Sequence, residues 1–433
     1  MRTADYLDEL ARRPADAPRS APRTGLLALL QHAGNPQQRV RCIHIAGSKG
    51  KGTTALMLEA MLRAGGRRIG VFCSPHLQRW NERIRINGQP VADAALARVL
   101  EELHPHVASL HASDCNGPVF FEVLLVAALR LFEDAALDAA IIEAGIGARH
   151  DATRVVQPVV TALTTVEREH TALLGDSLTA IAADKAAVAR PGMPLVLGPL
   201  PPAAQRVVTA HAAATGAPLE HTSARLVSGR RAIIDATLGV VLPAPSRAQA
   251  DCAAVACGCL RAFDPCADVA MLTRAGLASL QLPGRQEVLY QRPLMIVDGA
   301  HTQASFAALT ELLRTMLAPS APLHLVLSCS GSRDLPALAA PLLARADRIV
   351  LTRADAERSV APEQLAATLH GAAVTASIQV IEAPAAAVAA ARHGLTAHGA
   401  LCATGSVYMA GVARRCLLSG QSGTDSVAGC QRR

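Results

Sequence analysis

The sequence predicts an α/β protein of two domains, each a mostly parallel sheet wound with helices. Three observations carry that prediction. Short apolar runs alternate with helical patterns along most of the 433 residues. A glycine-rich loop joins the first such run to the first such helix, and the pattern breaks at Pro283-Gly284 before starting again. Alternation of this kind builds parallel strands with helices on both faces, and the chain is longer than one typical domain.

Taken in order, "RCIHIAG" reads as a short buried strand, followed by the glycine-rich loop and a helix over "TTALMLEAMLRAGG". That helix stops at Gly65-Gly66, a C-terminal glycine signal. "RRIGVF", "LDAAIIEAG" and "PVVTALTTV" are the next strands. After the break, "LMIVDGA" opens a second strand-loop-helix series that continues through "LHLVLSCSG", "ADRIVLTRA", "ASIQVIEAP" and "GALCATGS". The boundary falls at residue 285, giving a large domain over 1–284 and a smaller one over 285–420. Residues 421–433 lack periodicity and read as a flexible tail.

Composition narrows the class. Hydrophobic residues make up 51% of the chain and charged ones 18%, enough apolar surface for a sizeable core. The formal charge of +7 is not clustered, and base-stacking aromatics are scarce at 2%, so no nucleic-acid partner is expected. Cys252, Cys257 and Cys259 in "DCAAVACGC" sit in an Ala-rich helical stretch with no paired C-x-x-C motif. They read as structural thiols in a reducing compartment rather than as a metal site. The start, "MRTADYLDELARRPADAP", has four acidic residues and no apolar centre, unlike a targeting peptide. No apolar run reaches membrane-spanning length. The expectation is a cytoplasmic protein with no membrane partner.

The loop "GSKGKGT" suggests phosphate chemistry. Gly47, Gly50 and Gly52 let the backbone turn tightly, so that successive N–H groups can face an anion, with Ser48 and Lys49 between them. Lys51 offers a point charge to the β- and γ-phosphates, and Thr53 opens the helix with its dipole and a hydroxyl for Mg²⁺. The common phosphate-loop motif has Lys followed directly by Ser or Thr. Here Gly52 intervenes, and taken alone the stretch could equally be a glycine turn between strand and helix. Glu143 closes an apolar run at the C-terminal edge of a parallel sheet, where ligands bind in open α/β folds. It could hold a metal or cap the next helix. Lys185, alone in an Ala-rich helix, reads as a surface lysine with its stem along the helix.

The longer run "GNPQ...IHIAGSKGKGTTAL...GVFCSPHLQRWNERIRING" resembles the folylpolyglutamate synthase and dihydrofolate synthase family, a branch of the Mur ligases. Further matching motifs follow in family order: "FFEVLLVAAL", "IIEAGIGARHDAT", "EHTALLGDSLTAIAADKAAVARPG", "LPGRQEV", "DGAH" and "ATGSVYMAG". They span residues 25 to 412. The resemblance implies an N-terminal P-loop-type ATP-binding Mur-ligase domain plus a smaller C-terminal doubly wound α/β domain. It also implies a reaction: ATP phosphorylates a carboxylate, and an amine then attacks the acyl phosphate to form an amide. Such a site needs a phosphate cradle, metal ions and positive charge over the transferred group.

By that resemblance, Ser74 and Glu143 hold a first Mg²⁺ with Thr53, and His170 holds a second. Lys185 reacts with CO₂ to give a carbamate that helps hold the second Mg²⁺. Arg285 and His301 reach the nucleotide phosphates, and Asp298 bonds the ribose. Lys51, His170, Lys185 and His301 are the implied catalytic set. Asp251 stands where the family has an adenine-contacting Asn. Substrate contacts are expected from Arg83, Asp151 and Ser406, and from Phe120 and Phe121, which fit ring stacking and plain core packing equally well. The site is expected to be split between the domains, which implies closure around the substrates, in a monomer.

Several positions depart from the family pattern: Ala148, His150 and Arg154 in "GARHDATR", Glu169 before His170, Thr302 after His301, and Arg333 in place of a Lys. Three functional expectations follow. The first is a ligase joining L-glutamate to dihydropteroate, to (tetrahydro)folate, or to both. The second, motivated by Arg154, Thr302 and Arg333, is a divergent paralogue that ligates another acid and amine. The third is a nucleotide-binding protein without catalysis.

Overall fold

The computed structural model describes residues 3–13, 23–113, 117–227, 231–237, 239–243, 246–331, 334–372 and 374–419. It divides into two compact units between Leu280 and Gln281. The division precedes the expected residue 285 because the Pro283-Gly284 turn is bonded into the second unit. Gly284 N–H donates to Glu287 Oε2 at 2.8 Å, and Gly299 N–H donates to the Gly284 carbonyl at 3.0 Å. The expected tail, 421–433, lies outside the described residues.

The first unit is built on eight strands: β1 (Cys42–Ala46), β2 (Ile69–Phe72), β3 (Ile84–Ile86), β4 (Gln89–Pro90), β5 (Ala139–Glu143), β6 (Pro158–Leu163), β7 (Leu195–Leu197) and β8 (Leu219–His221). Their spatial order is β4-β3-β2-β5-β1-β6-β7-β8. The pairs from β2 to β8 are parallel, and β3 and β4 add an antiparallel edge. β1, β2 and β5 are buried at every residue, which explains their near-continuous apolar runs, broken only by the buried His44 and Glu143: a strand covered on both faces needs no alternation. One core cluster joins helices Thr3–Arg12, Thr24–His32, Asp93–Ala112 and Phe120–Asp134 to Phe72 and Ile142. A second joins helices Leu178–Ala186 and Pro202–Thr215 to Leu163, Leu195 and Leu197.

Two features of this unit differ from expectation. The helix after β1 runs Lys51–Ala64, so Gly52 and Thr53 lie inside it, and Gly50 is its left-handed N-cap. The sequence also hides a small antiparallel sheet of β9 (Arg225–Val227), β10 (Arg231–Asp235) and β11 (Val240–Pro243). Its strands are short and mixed in polarity, too weak a period to read locally.

The second unit carries six strands: β12 (Glu287–Gln291), β13 (Leu294–Val297), β14 (Leu323–Leu327), β15 (Arg348–Leu351), β16 (Ser377–Val380) and β17 (Ala400–Thr404), in the order β12-β13-β17-β14-β15-β16. All pairs are parallel except the β12-β13 edge. Cys252, Cys257 and Cys259 are buried in helix Arg247–Phe263. No helix among the described residues is long and apolar enough to cross a membrane.

Candidate functional site

In the first unit the C-terminal ends of β1, β2, β5 and β6 collect the chemistry. β1 ends at Ala46 and the chain turns through Gly47 (φ +147°) and Gly50 (φ +83°) into the Lys51 helix. Both glycines are required by space as well as by backbone angle. A Cβ on Gly47 would sit 2.0 Å from Thr164 Oγ1, and one on Gly50 would sit 2.7 Å from Cys252 Sγ.

The loop is stapled to the segment that follows β6. Ser48 N–H donates to Thr165 O at 2.9 Å, Lys49 N–H to Thr165 Oγ1 at 2.8 Å, and Thr164 Oγ1 to Lys49 O at 2.5 Å. The N–H groups of Ser48 and Lys49 are thus spent on the fold, contrary to the expectation that they face an anion. The donors left for a phosphate are those of the first helical turn, which have no acceptor within the helix. The first intrahelical bond runs from Thr54 N–H to Gly50 O at 2.8 Å.

Three ammonium groups converge behind this loop. Lys51 Nζ donates to Gly47 O at 3.0 Å and Ser48 O at 3.4 Å. Lys185 Nζ donates to the same Gly47 O at 3.0 Å and to Glu169 Oε1 at 3.2 Å. Lys49 Nζ pairs with Glu169 Oε2 at 3.1 Å. Burial alone would raise the Glu169 carboxyl, but Lys49, Lys185 and Lys51 outweigh it and hold the group at about 2. Lys185 is 1% exposed, so the surface reading of this lysine is wrong. Burial first, and the Lys51 charge second, lower its amine to about 8.

β6 ends at Leu163, and His170 stands further on, at the N-cap position of the short helix Thr171–Leu174 in the left-handed region (φ 49°). Desolvation first, then Lys185, Lys49 and Lys51, lower its imidazole against the pull of Glu169. Glu143 ends β5, is buried, and accepts the Ser74 N–H through Oε2 at 2.9 Å. Ser74 and Glu143 are therefore brought together. Thr53, Ser74 and Glu143 offer hard oxygen donors with a single carboxylate, which suits a Mg²⁺ that takes the rest of its shell from phosphate and water. Among the described residues no group of three or more His, Cys, Asp or Glu is arranged to hold a metal by itself.

Beside Ser74 stands an aromatic wall. Phe121 packs 5.3 Å from Phe72 and 6.4 Å from Phe120, and Phe120 meets Trp80 edge-on at 5.7 Å. The buried Arg83 lies 4.9 Å from the Trp80 ring and 5.4 Å from the Phe120 ring, and its Nε donates to His76 Nδ1 at 2.9 Å. A guanidinium only donates, so His76 is unprotonated at Nδ1. Trp80 and His76 were not singled out from the sequence. The signal available was that Trp80 is the only Trp in the chain. Asp151 has a structural task here: it accepts from Ile146 N–H and Thr153 N–H, each at 3.0 Å, and caps the turn Ala152–Val155. Asp251 accepts from Ala224 N–H at 3.1 Å and pairs with Arg247 at 2.8 Å. Arg154 donates to the Ala187 carbonyl at 2.8 Å, at the C-terminal end of the Lys185 helix.

The second unit has its own cluster at the C-terminal ends of β13 and β17. Asp298 is buried and accepts from Gln286 N–H at 2.7 Å and Ala300 N–H at 2.8 Å. Burial outweighs those bonds and raises its carboxyl to about 6. His301 bonds the Gly299 carbonyl through Nδ1 at 2.8 Å. A carbonyl only accepts, so Nδ1 carries the proton and Nε2 is the acceptor when the ring is neutral. Ser406 follows β17 and accepts from Met409 N–H at 3.1 Å. Arg285 donates to Pro283 O at 3.2 Å. Thr302 is the N-cap of helix Gln303–Met316 and exchanges bonds with Ser305. Arg333 lies outside the described residues.

Comparison with known proteins agrees with this layout. Residues 284–407 match the family model described as Mur ligase, glutamate ligase domain. The chain is 31% identical over 413 residues to the folylpolyglutamate synthase of Lacticaseibacillus casei, covering 92% of this chain and 94% of that protein. It is 34% identical over 406 residues to a Haloferax volcanii protein described as a probable bifunctional folylpolyglutamate synthase/dihydropteroate synthase. That match covers 89% of this chain and 47% of the Haloferax protein, so the chain spans about half that relative's length. Among solved structures, E. coli FolC in complex with DHPP and ADP superposes with a TM-score of 0.84 at 26% identity, over 96% of this chain and 98% of that one. The chain belongs to the folylpolyglutamate synthase and dihydrofolate synthase family.

Proposed function

We propose that this chain is an ATP-dependent ligase joining L-glutamate to dihydropteroate, (tetrahydro)folate or both through an acyl phosphate, acting as a cytoplasmic monomer. The observation that carries the reading is the Lys51 ammonium held at the Gly47 carbonyl, beside the open first turn of the Lys51 helix. Free N–H groups and the Lys51 cation at one strand end suit a triphosphate. The names of the relatives supply the acid and the nucleotide: FolC is bound to DHPP and ADP.

In this reading the helix N-terminus and Lys51 bind and orient the phosphates, and Thr53 and the Ser74–Glu143 pair would hold one Mg²⁺. When bound, the cations neutralise charge on the transferred phosphoryl group. His170 and Lys185, once carbamylated, would hold the second Mg²⁺. Carbamylation needs the neutral amine, and a lysine lowered to about 8 keeps roughly a tenth of its molecules neutral at pH 7. Lys49 stays beside Glu169 to balance the anion that results. Arg285, Asp298 and His301 serve the nucleotide. Arg83 and the Trp80–Phe120–Phe121 wall receive the acid's flat rings, and Ser406 contributes to substrate placement.

The divergent-paralogue reading rested on Arg154, Thr302 and Arg333. Arg154 and Thr302 have local tasks, at a helix C-terminus and an N-cap, so they lend it no support. The test is ADP release with Mg²⁺ and ATP in the presence of dihydropteroate plus glutamate, with each omitted in turn and products identified by mass. Release that needs both acid and amine supports the proposal. Nucleotide binding with no turnover on any pteroate or folate overturns it.

A further inference from the structure

The only Trp of the chain is tied to the N-terminal helix: Trp80 Nε1–H donates to Asp8 Oδ1 at 3.0 Å. That helix, Thr3–Arg12, buries Tyr6, Leu7 and Leu10 in the core cluster against which Trp80, Phe120 and Phe121 also pack. Asp8 itself is exposed and stands next to these anchors. Trp80 opens a short 3₁₀ turn and is half-buried, with its ring edge-on to His76 at 4.4 Å and to Phe120 at 5.7 Å. An indole at a turn can swing about two side-chain torsions. Pinning its N–H end to an acceptor on a packed helix removes most of that freedom and leaves one ring face to Arg83. We infer that the N-terminal helix is part of the acid-binding wall, with Asp8 as a positioning residue that sets the Trp80 indole for the flat rings of the acid.

The inference rests on the functional reading above, in which this wall receives a pteroate or folate. It places no bond between Asp8 and any substrate. Asp8 acts through Trp80, and its effect is therefore specific to the acid. ATP, received elsewhere on the first unit, is unaffected.

The test uses the full chain. Asp8→Ala is expected to raise KM for dihydropteroate or tetrahydrofolate about fivefold, the size of one hydrogen bond, while kcat and KM for ATP stay put. Asp8→Asn keeps an oxygen acceptor and is expected to restore KM. Because Trp80 alone contributes indole fluorescence, its emission maximum is expected to shift in Asp8→Ala and to return in Asp8→Asn. Trp80→Phe removes the N–H, so adding Asp8→Ala to it is expected to change nothing further. An unchanged KM in Asp8→Ala, or an equal fall of kcat, ATP affinity and thermal midpoint together, overturns the inference while the functional reading stands. Wild-type protein that turns over no pteroate or folate overturns that reading, and the inference with it.

Discussion

Lys51 and Lys185 donate to one atom, the carbonyl oxygen of Gly47, each from 3.0 Å. Two cations on one carbonyl repel each other; Glu169 offsets the charge of Lys185 at 3.2 Å, and Lys51 is left with backbone carbonyls as its hydrogen-bond partners. Lys51→Ala is expected to cut ADP release by at least ~100-fold, the scale of losing one charged donor to a transferring group. The thermal midpoint should hardly move, since Lys51 is only partly buried and bonds only backbone carbonyls. Turnover within tenfold of wild type would remove Lys51 from the phosphate site.

Glu169 is the counter-ion of this group, bonded to Lys49 at 3.1 Å and Lys185 at 3.2 Å. In the chain with unmodified Lys185, Glu169→Gln takes away the negative charge that the buried ammonium is paired with. The expected cost is roughly 3 kcal/mol of unfolding free energy, read by urea denaturation with Trp80 emission as the probe. A cost under about 1 kcal/mol would mean that water screens the cluster.

Gly47 tests the loop itself. Gly47→Ala puts a methyl 2.0 Å from Thr164 Oγ1 at φ +147°, so the loop or the Thr164–Glu169 segment must move. Nucleotide turnover is expected to fall by an order of magnitude or more, with a stability loss of about 2 kcal/mol, measured by ADP release and thermal unfolding on the same sample. Retained turnover would show that the staple to Thr164 is dispensable.

Asp298 gives a pH dependence of known sign. Its folded carboxyl is raised from the ordinary 3.8 to about 6, so the folded state holds its proton more tightly than the unfolded chain. The stability this contributes is complete below pH 3.8 and is lost as pH rises through 6, amounting to roughly 3 kcal/mol. Asp298→Asn removes the titration. Its thermal midpoint relative to wild type is therefore expected to climb between pH 4 and pH 7, and a flat difference would refute the shift.

Thr302 is expected to behave as a cap. Thr302→Ala should cost about 1 kcal/mol, and Thr302→Asn, which keeps a capping oxygen, less than about 0.5 kcal/mol. Urea denaturation of the full chain measures both. If Asn alters acid or amine preference instead, the residue has a substrate role that its cap does not show.

What the sequence by itself determined is local. Mostly apolar runs marked β1, β5 and β6 as strands, and glycines marked where the chain turns, so Gly47, Ser74 and Glu143 were legible as strand-end residues. Periodicity and backbone freedom are properties of a few neighbouring residues, and they survive without the rest of the fold. Pairing is not local. Lys185 had the surroundings of a surface lysine, yet packing buries it against Gly47, far away in the chain. Ser48 and Lys49 had free N–H groups on paper until Thr165 took them. Asp151, expected at a substrate, also caps the turn that follows it, and Trp80 passed unnoticed until Asp8, Arg83 and Phe120 surrounded it. Which donor meets which acceptor was decided by how the helices pack on the sheet, because that packing brings distant residues together and commits their hydrogen bonds.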